Sequence, residues 1–308
     1  MTRVKINILY CCVLVLSVLM ITSCSDDKEK AEISKAKAKA EREKYNAALK
    51  IGVMPTMDCL PIYLLKDSNM YDSTKVDIRL KVFTAQMDCD TALVGGSIQG
   101  SVTDLVRASR IKRKGTPLWL GIATNAYWQL ITNKSARLKE LSQLSDKMVA
   151  MTRYSVTDML TDMAIKKGKP KYPVYKIQIN DVFIRLQMLA NNEMDAMWLT
   201  EPQATAARQM GHGQLMDTQK DSLYMGVIAF RIKDLADDRR YQQIEDFKVA
   251  YNKACEAINR NGVGYYADII KKYMHANDST IKALPKMKFP TVQNPRQKDV
   301  DIAERFIH

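Results

Sequence analysis

Between Leu49 and Leu199 short apolar runs alternate with helical stretches, and the links between them are only a few residues long. A chain that keeps switching from strand to helix has few stable solutions: its helices must cover the faces of an open α/β sheet. Met148 to Ile165, MVAMTRYSVTDMLTDMAI, shows the unit most clearly. Met148 to Met151 has the length of a buried strand. Thr152-Arg153-Tyr154 makes a turn. Ser155, three residues before Asp158, is placed as an N-cap for a helix carrying the apolar Met159, Leu160 and Met163. Such a helix start has unpaired N–H groups that attract anions, and Arg153 adds a fork of donors at the same place. Thr152, Ser155 and Thr157 add hydroxyls. The same pattern also describes an ordinary strand–turn–helix with a solvated arginine.

The remaining elements follow the same rhythm. Leu49 to Met54 reads as a first buried strand, ended by Pro55-Thr56 and followed by an apolar helix from Met57 to about Lys66. Further strands are expected over Asp77 to Phe83, Gln99 to Thr103, Thr116 to Ala123, Lys147 to Met151, Val174 to Ile179 and Asp195 to Leu199. Helices are expected over Met87 to Val94, which ends at Gly95-Gly96, and over Asp104 to Lys112, Leu138 to Leu144, Ser155 to Lys167 and Asp181 to Asn191. Trp128 to Thr132 reads as an extended crossing segment, and Leu223 to Ile232 as the strand that goes back. Pro202 suits the first turn of a helix that ends near Gly211. Helices are expected from about Ala236 to Arg260 and from Gly264 to His275; the chain is irregular from Pro285 to Pro295 and helical again from Gln297 to Phe306.

The start of the chain is of another kind. Arg3 and Lys5 precede an apolar run from Ile6 to Ile21, and Thr22-Ser23-Cys24 follows. Charged, apolar and small-residue regions in that order make a targeting segment, too short for a comfortable membrane span. Residues 26 to 47 are almost all Lys, Glu, Asp, Ala and Ser, with no apolar face to bury, so they read as a charged tether that can be partly helical. Roughly 260 residues remain to fold. The net charge of +13 stays largely on that part, because the tether nearly cancels itself. Lys and Arg are dispersed, with no basic helix and no aromatic-interleaved basic patch, which argues against a nucleic-acid partner. Basicity fits a protein beside anionic lipid, or one with an anionic ligand. Cys59, Cys89 and Cys255 form no CxxC or His–Cys cluster, so no structural zinc site is expected. Cys59 and Cys89 can bridge or remain buried free thiols.

Three stretches resemble one known family. They are Ile51-Gly52-Val53-Met54-Pro55 before an apolar helix, Asp90-Thr91-Ala92-Leu93-Val94-Gly95-Gly96 followed by Ser101-Val102-Thr103-Asp104, and Arg185 to Ala196 with Glu201-Pro202 after it. In order and spacing they resemble the type II solute-binding proteins of ABC importers, and among these the nitrate, sulfonate, taurine and thiamine-pyrimidine-precursor binding proteins. Ile21-Thr22-Ser23-Cys24 resembles the lipobox of bacterial lipoproteins. The first resemblance implies an α/β chain of two lobes with a ligand cleft between them. It implies capture of a small polar or anionic organic solute by hinge closure, delivery to an ABC permease, no catalysis and no cofactor. The second implies cleavage before Cys24, acyl chains on Cys24, and attachment outside the cytoplasm to a bacterial membrane, on the periplasmic side or at the cell surface. The division of the chain is then signal peptide 1–23, tether 24–47, first lobe 48–128, second lobe 129–222, and a return to the first lobe over 223–308. An enzyme on the same fold and a surface lipoprotein that binds a protein partner stand as alternatives.

In open α/β sheets ligands sit at the carboxyl ends of strands. The cleft-facing loops are therefore Met54 to Cys59, Thr84 to Asp88, Thr103-Asp104, Thr124 to Trp128, Thr152 to Thr157, Asn180-Asp181 and Thr200 to Gln203. The candidate ligand-binding residues on or beside them are Thr56, Met57, Asp58, Gln86, Asp88, Thr103, Asp104, Asn125, Trp128, Thr152, Arg153, Ser155, Thr157, Trp198 and Glu201. Hydroxyls and amides fix orientation, and rings supply an apolar wall. The acids Asp58, Asp88, Asp90, Asp104 and Glu201 can hold a cation or do acid–base work. Helix capping and first-turn placement account equally for Asp58, Asp88 and Asp104. His212, His275 and His308 fall outside these loops, which leaves no base for Ser–His–Asp or Cys–His catalysis. Gly95-Gly96-Ser97 lacks the spacing of a nucleotide phosphate loop. An anionic group of the ligand is expected to dock at the helix start beside Arg153.

Overall fold

The computed structural model describes residues 30–307, so the targeting segment, Cys24 and His308 lie outside the described residues. The chain divides after Ala48 into two compact units. In the first, residues 30–47 form helix α1, exposed along almost its whole length, as a sequence with no apolar stripe requires. No helix among the described residues is long and apolar enough to cross a membrane.

The second unit contains two five-stranded sheets, and each is built on the same plan. The first sheet has the order β2-β1-β3-β10-β4, from β1 (Leu49–Val53), β2 (Ile78–Val82), β3 (Gly100–Asp104), β4 (Leu118–Ala123) and β10 (Gly226–Arg231). The second has the order β7-β6-β8-β5-β9, from β5 (Gln129–Thr132), β6 (Met148–Met151), β7 (Tyr175–Gln178), β8 (Ala196–Leu199) and β9 (Gly213–Asp217). In each, three strands run parallel, joined through helices, and the fourth in order is antiparallel to its neighbours. The helices between the parallel strands are α2 (Leu60–Asp67), α3 (Gln86–Val94), α5 (Val156–Gly168) and α6 (Val182–Ala190); α4 (Leu105–Arg113) follows β3 and α7 (Gln203–Gln209) follows β8. The chain passes from the first sheet to the second through residues 124–128 and returns through 218–225. After β10 come α8 (Ile232–Leu235), the long α9 (Asp238–Asn261), α10 (Ala267–Met274), α11 (Asp278–Ala283) and α12 (Gln297–Phe306), of which α12 packs on α4.

Apolar burial is divided among three clusters. One lies on the α2–α9 face of the first sheet, with Ile51, Tyr63, Phe230, Phe247 and Tyr251. A second covers the other face of that sheet and runs on to the second sheet through Leu105, Val227, Met151, Leu160 and Trp198. A third, with Ile131, Met197 and Leu189, sits under α6 and α7. Packing is close where α3 crosses β1: a Cβ at Gly52 would meet the Cys89 sulfur at 2.5 Å. Cys59, Cys89 and Cys255 are buried free thiols. Burial pushes all three thiols up, to about 12 for Cys89 and Cys255, so they stay protonated and inert.

Several elements differ from the sequence reading. Gln129–Thr132 is not part of a crossing but the antiparallel strand of the second sheet, buried along its length and flanked by β8 and β9. Leu138 to Leu144 is not a helix. Only short 3-10 turns form there, at Lys134–Ala136 and Leu141–Leu144. Arg137 and Asp146 take left-handed backbone, which breaks a helix, and the Gln143 side chain folds back on the amides of Lys139 and Glu140. The strand β9, GQLMD, was not anticipated because its half-buried pattern carries few apolar residues. Nor was α11, a short helix that Asn277 starts by accepting from the Thr280 amide.

Candidate functional site

At the carboxyl ends of β1, β3, β6, β7 and β8 the two sheets face one another across a cleft that holds a cavity of about 80 Å³. The first sheet supplies two turns. After β1, Thr56 donates to Asp58 Oδ1 at 2.6 Å, and Thr124 from the crossing donates to Oδ2 at 3.3 Å. Burial raises the pKa of this carboxyl, and those hydroxyls only partly offset it. After β3, Asp104 caps α4 by accepting from the Arg107 amide at 3.0 Å. Arg107, one turn into that helix, pairs with Asp90 and brings its Nε to 3.6 Å from Asp104 Oδ2.

The second sheet supplies three strand ends, and one side chain ties them. Arg185 on α6 donates to the Ile179 carbonyl at 2.7 Å, the Trp198 carbonyl at 3.2 Å, and the Thr152 hydroxyl. These groups lie at the ends of β7, β8 and β6. No carboxylate pairs with Arg185 among the described ion pairs. Burial, then the charge of Arg107, pushes its pKa down to about 10. Thr152, Ser155 and Thr157 bond among themselves: the Thr152 amide donates to Thr157 Oγ1 at 2.9 Å, and Ser155 Oγ donates to the Thr152 carbonyl at 2.6 Å. The Trp198 ring is fully buried and its Nε1 donates to Thr161 at 2.9 Å, so it is cleft floor and core at once.

Direct hydrogen bonds hold the two halves together. The Val156 amide, at the start of α5, donates to Asp104 Oδ1 at 3.1 Å. The Met57 amide donates to the Glu201 carbonyl at 2.9 Å, and Gln203 Nε2 to the Pro55 carbonyl at 2.9 Å. At the rim the Val182 amide donates to the Thr84 carbonyl at 3.1 Å, beside an isolated bridge between Ala85 and Asp181. The cleft is closed in this structure.

Of the residues expected at the site, Thr56, Asp58, Gln86, Thr103, Asp104, Trp128, Thr152, Ser155, Thr157 and Trp198 line the cavity. Five do not. Arg153 is exposed in a two-residue turn. Its neighbour Tyr154 takes left-handed backbone and carries the Arg110 guanidinium over its ring at 3.9 Å, so the turn stays at the rim. The helix start behind it does attract a negative group, but the protein's own Asp104 fills that place. Asp88 is exposed on the first turn of α3, a dipole position that needs no ligand. Met57 is buried in the first core. Asn125 turns to the C-terminal segment and donates to the Lys288 carbonyl. Glu201 accepts from Tyr127, Gln129, Thr205 and Arg208 beside the crossing. Burial works to raise its pKa, but those donors outweigh it and hold the carboxyl below its ordinary range.

Sequence reasoning missed Arg107 and Arg185, the two guanidiniums of the site. Both stand inside helices where an arginine reads as solvated. Their signal was position: each lies in the first turn of its helix, four residues before a buried apolar residue, Ile111 and Leu189. The residues lining the cavity include no histidine or cysteine. Among the described residues no group of three or more His, Cys, Asp and Glu side chains is placed to hold a metal ion.

No protein-family model matches this sequence, and no curated protein does. Solved structures do match the fold. The ligand-binding component of an ABC-type import system from Staphylococcus aureus, with zinc bound, superposes with a TM-score of 0.71 at 17% identity, over 84% of this chain and 91% of that one. The alkanesulfonate-binding protein of Xanthomonas axonopodis pv. citri, bound to MOPS, gives 0.70 at 18% identity over 84% and 90%. The periplasmic nitrate-binding protein of Synechocystis PCC 6803 gives 0.67 at 16% identity over 76% and 68%. This chain has their fold, the two-lobe fold of periplasmic binding proteins.

Proposed function

We propose that this chain is an extracytoplasmic solute-binding protein, anchored to a bacterial membrane by acyl chains on Cys24. It closes its two lobes on a small polar or anionic organic solute and passes that solute to an ABC permease. One observation carries the reading. The cavity lies between two lobes joined by two short crossings, and its wall holds buried polar atoms of Thr103, Arg107 and Gln203 with no protein partner. Buried polar groups are satisfied in nearly all native structures, so unmatched ones around a cavity mark the place of a ligand. The fold supports the reading, since the matched structures carry import-system or solute-binding names. The mechanism is hinge closure: ligand contacts from both lobes add to the direct bonds across the cleft and shift the chain to the closed state. A cavity wall without histidine or cysteine sets this reading above an enzyme on the same frame.

Native mass spectrometry tests it. The full chain, incubated with a protein-free small-molecule extract of the cells that make it and then exchanged into volatile buffer, is expected to carry one small molecule per chain. A bare protein mass after that incubation speaks against solute capture.

A further inference from the structure

The polar groups around the cavity fall into two poles with opposite needs. At the first, the β3–α4 turn gathers Thr103, Asp104 and Arg107. Arg107 is only 3% exposed and two carboxylates balance its charge. Its Nη2 and Thr103 Oγ1 are nevertheless buried without a partner. A guanidinium N–H can only donate, so this pole lacks an acceptor. At the second, Gln203 gives its Nε2 to the Pro55 carbonyl, which fixes the amide and leaves Oε1 buried without a partner. An amide oxygen can only accept, so this pole lacks a donor. Asp58, three residues beyond Pro55, lines the same cavity, and the side chains that meet it are the hydroxyls of Thr56 and Thr124.

Beyond Arg107 and Thr103, the groups that would draw in a simple oxyanion are engaged elsewhere. The first free amide of α5 holds Asp104. The donors of Arg185 hold two carbonyls and a hydroxyl. Among the residues lining the cavity Asp58 and Asp104 already balance Arg107 and Arg185, and Asp90 adds a further carboxylate against Arg107. A ligand that offers only acceptor oxygens satisfies the first pole, leaves Gln203 and Asp58 unmatched, and adds negative charge beside them.

We propose that the cleft takes a small solute bearing both an N–H donor group, as in an amine, amide or amidine, and an acceptor atom. The N–H group faces Gln203 and Asp58, and the acceptor faces Arg107 and Thr103. This rests on the reading that the cleft is a solute site, and the test separates the two. The full chain is refolded free of small molecules, incubated with the same cell extract and exchanged into volatile buffer. The retained species is released and its accurate mass taken in light and heavy water, which counts exchangeable hydrogens. Nitrate, sulfate and methanesulfonate, each alone at millimolar concentration, are tested in parallel by calorimetric titration.

The expected result is a retained species with nitrogen and at least one exchangeable N–H, and no saturable binding of the three oxyanions. Retention should fall about tenfold or more in Gln203→Leu, the cost of one buried hydrogen bond left unmade. Gln203→Glu, which keeps an acceptor oxygen there, should retain more than Gln203→Leu. Asp58→Asn should lose retention as well, and circular dichroism checks that each variant is folded. A retained species without N–H, saturable binding of an oxyanion, or undiminished retention in Gln203→Leu and Asp58→Asn overturns the proposal and leaves solute binding standing. No retained species and no binding of any probe overturns the solute-binding reading, and this proposal with it.

Discussion

Replacing Arg185 with alanine is expected to lower the stability of the chain by about 3–5 kcal/mol, the range of a severe core lesion. The guanidinium is buried and bonds to the carbonyls of Ile179 and Trp198 and to the Thr152 hydroxyl. Removing it leaves two buried carbonyls without donors, at about 1–3 kcal/mol each, and opens a cavity under the strand ends. For a chain of this size the melting midpoint should fall by roughly 6–20 °C. Arg185→Lys should recover only part of this, because one ammonium cannot reach three acceptors along a planar fork. The strand ends of β6, β7 and β8 form the second lobe's side of the cleft, so Arg185 is a positioning residue and its loss should also reduce solute retention. A midpoint shift no larger than a surface substitution gives, about 0.5 kcal/mol, would remove Arg185 from this role.

Asp104→Asn is expected to change how stability depends on pH. Burial pushes the Asp104 carboxyl up to about 6, against an ordinary value of 3.8. The folded state therefore binds this proton more tightly than the unfolded state does. The stability that this group contributes is fully present below pH 3.8 and is lost as pH rises through about 6, an integrated effect of about 3 kcal/mol. An asparagine has no proton to lose. The difference in unfolding free energy between variant and wild type should therefore grow in the variant's favour from pH 4 to pH 7. Asp58, whose pKa is also raised, remains in both proteins and cancels in that difference, whereas Asp90 shares Arg107 with Asp104, so part of the difference reports the pair. A constant offset across this range would show that Asp104 titrates as an exposed carboxylate does. Its burial argues against that, and outweighs the Arg107 charge and the bonds from the Arg107 and Val156 amides, which favour the charged form.

The strands that organise the cleft were legible because they are short, apolar and separated by turn residues: LKIGV, MVAM and AMWL each sit fully or almost fully buried between two neighbouring strands. Local capping was legible too, since Asp104, Ser155 and Asp181 each start a helix by accepting from an amide in its first turn. Long-range choices were not. QLIT at Gln129 has the composition of a crossing or of a strand, and only β8 and β9 on either side make it an interior strand. Arg107 and Arg185 are charged residues on helices, and burial by another element is invisible in the local pattern. The anion expected at the start of α5 was that of a ligand, and the group bonded to the Val156 amide is Asp104, 52 residues earlier in the chain. Glu201 lay on the right loop and faces the wrong way, because Arg208 one turn along α7 and Gln129 on β5 draw its carboxylate from the cavity.

The claim that the two lobes close around a solute is tested most directly at the amides that bond across the cleft. Met57, Val156 and Val182 donate to Glu201, Asp104 and Thr84 of the opposite lobe. Hydrogen exchange followed by mass spectrometry should be run on the chain refolded free of small molecules, before and after addition of the cell extract. Exchange at these amides reports opening of the cleft, whereas exchange in β1 and β6 reports unfolding. The account predicts fast exchange in peptides covering 55–59, 154–158 and 181–184 of the emptied protein, protection there once the extract is added, and slow exchange in β1 and β6 throughout. The same slow exchange in all of these peptides with and without the extract would contradict it, since the lobes would then be fixed against each other and no hinge would exist.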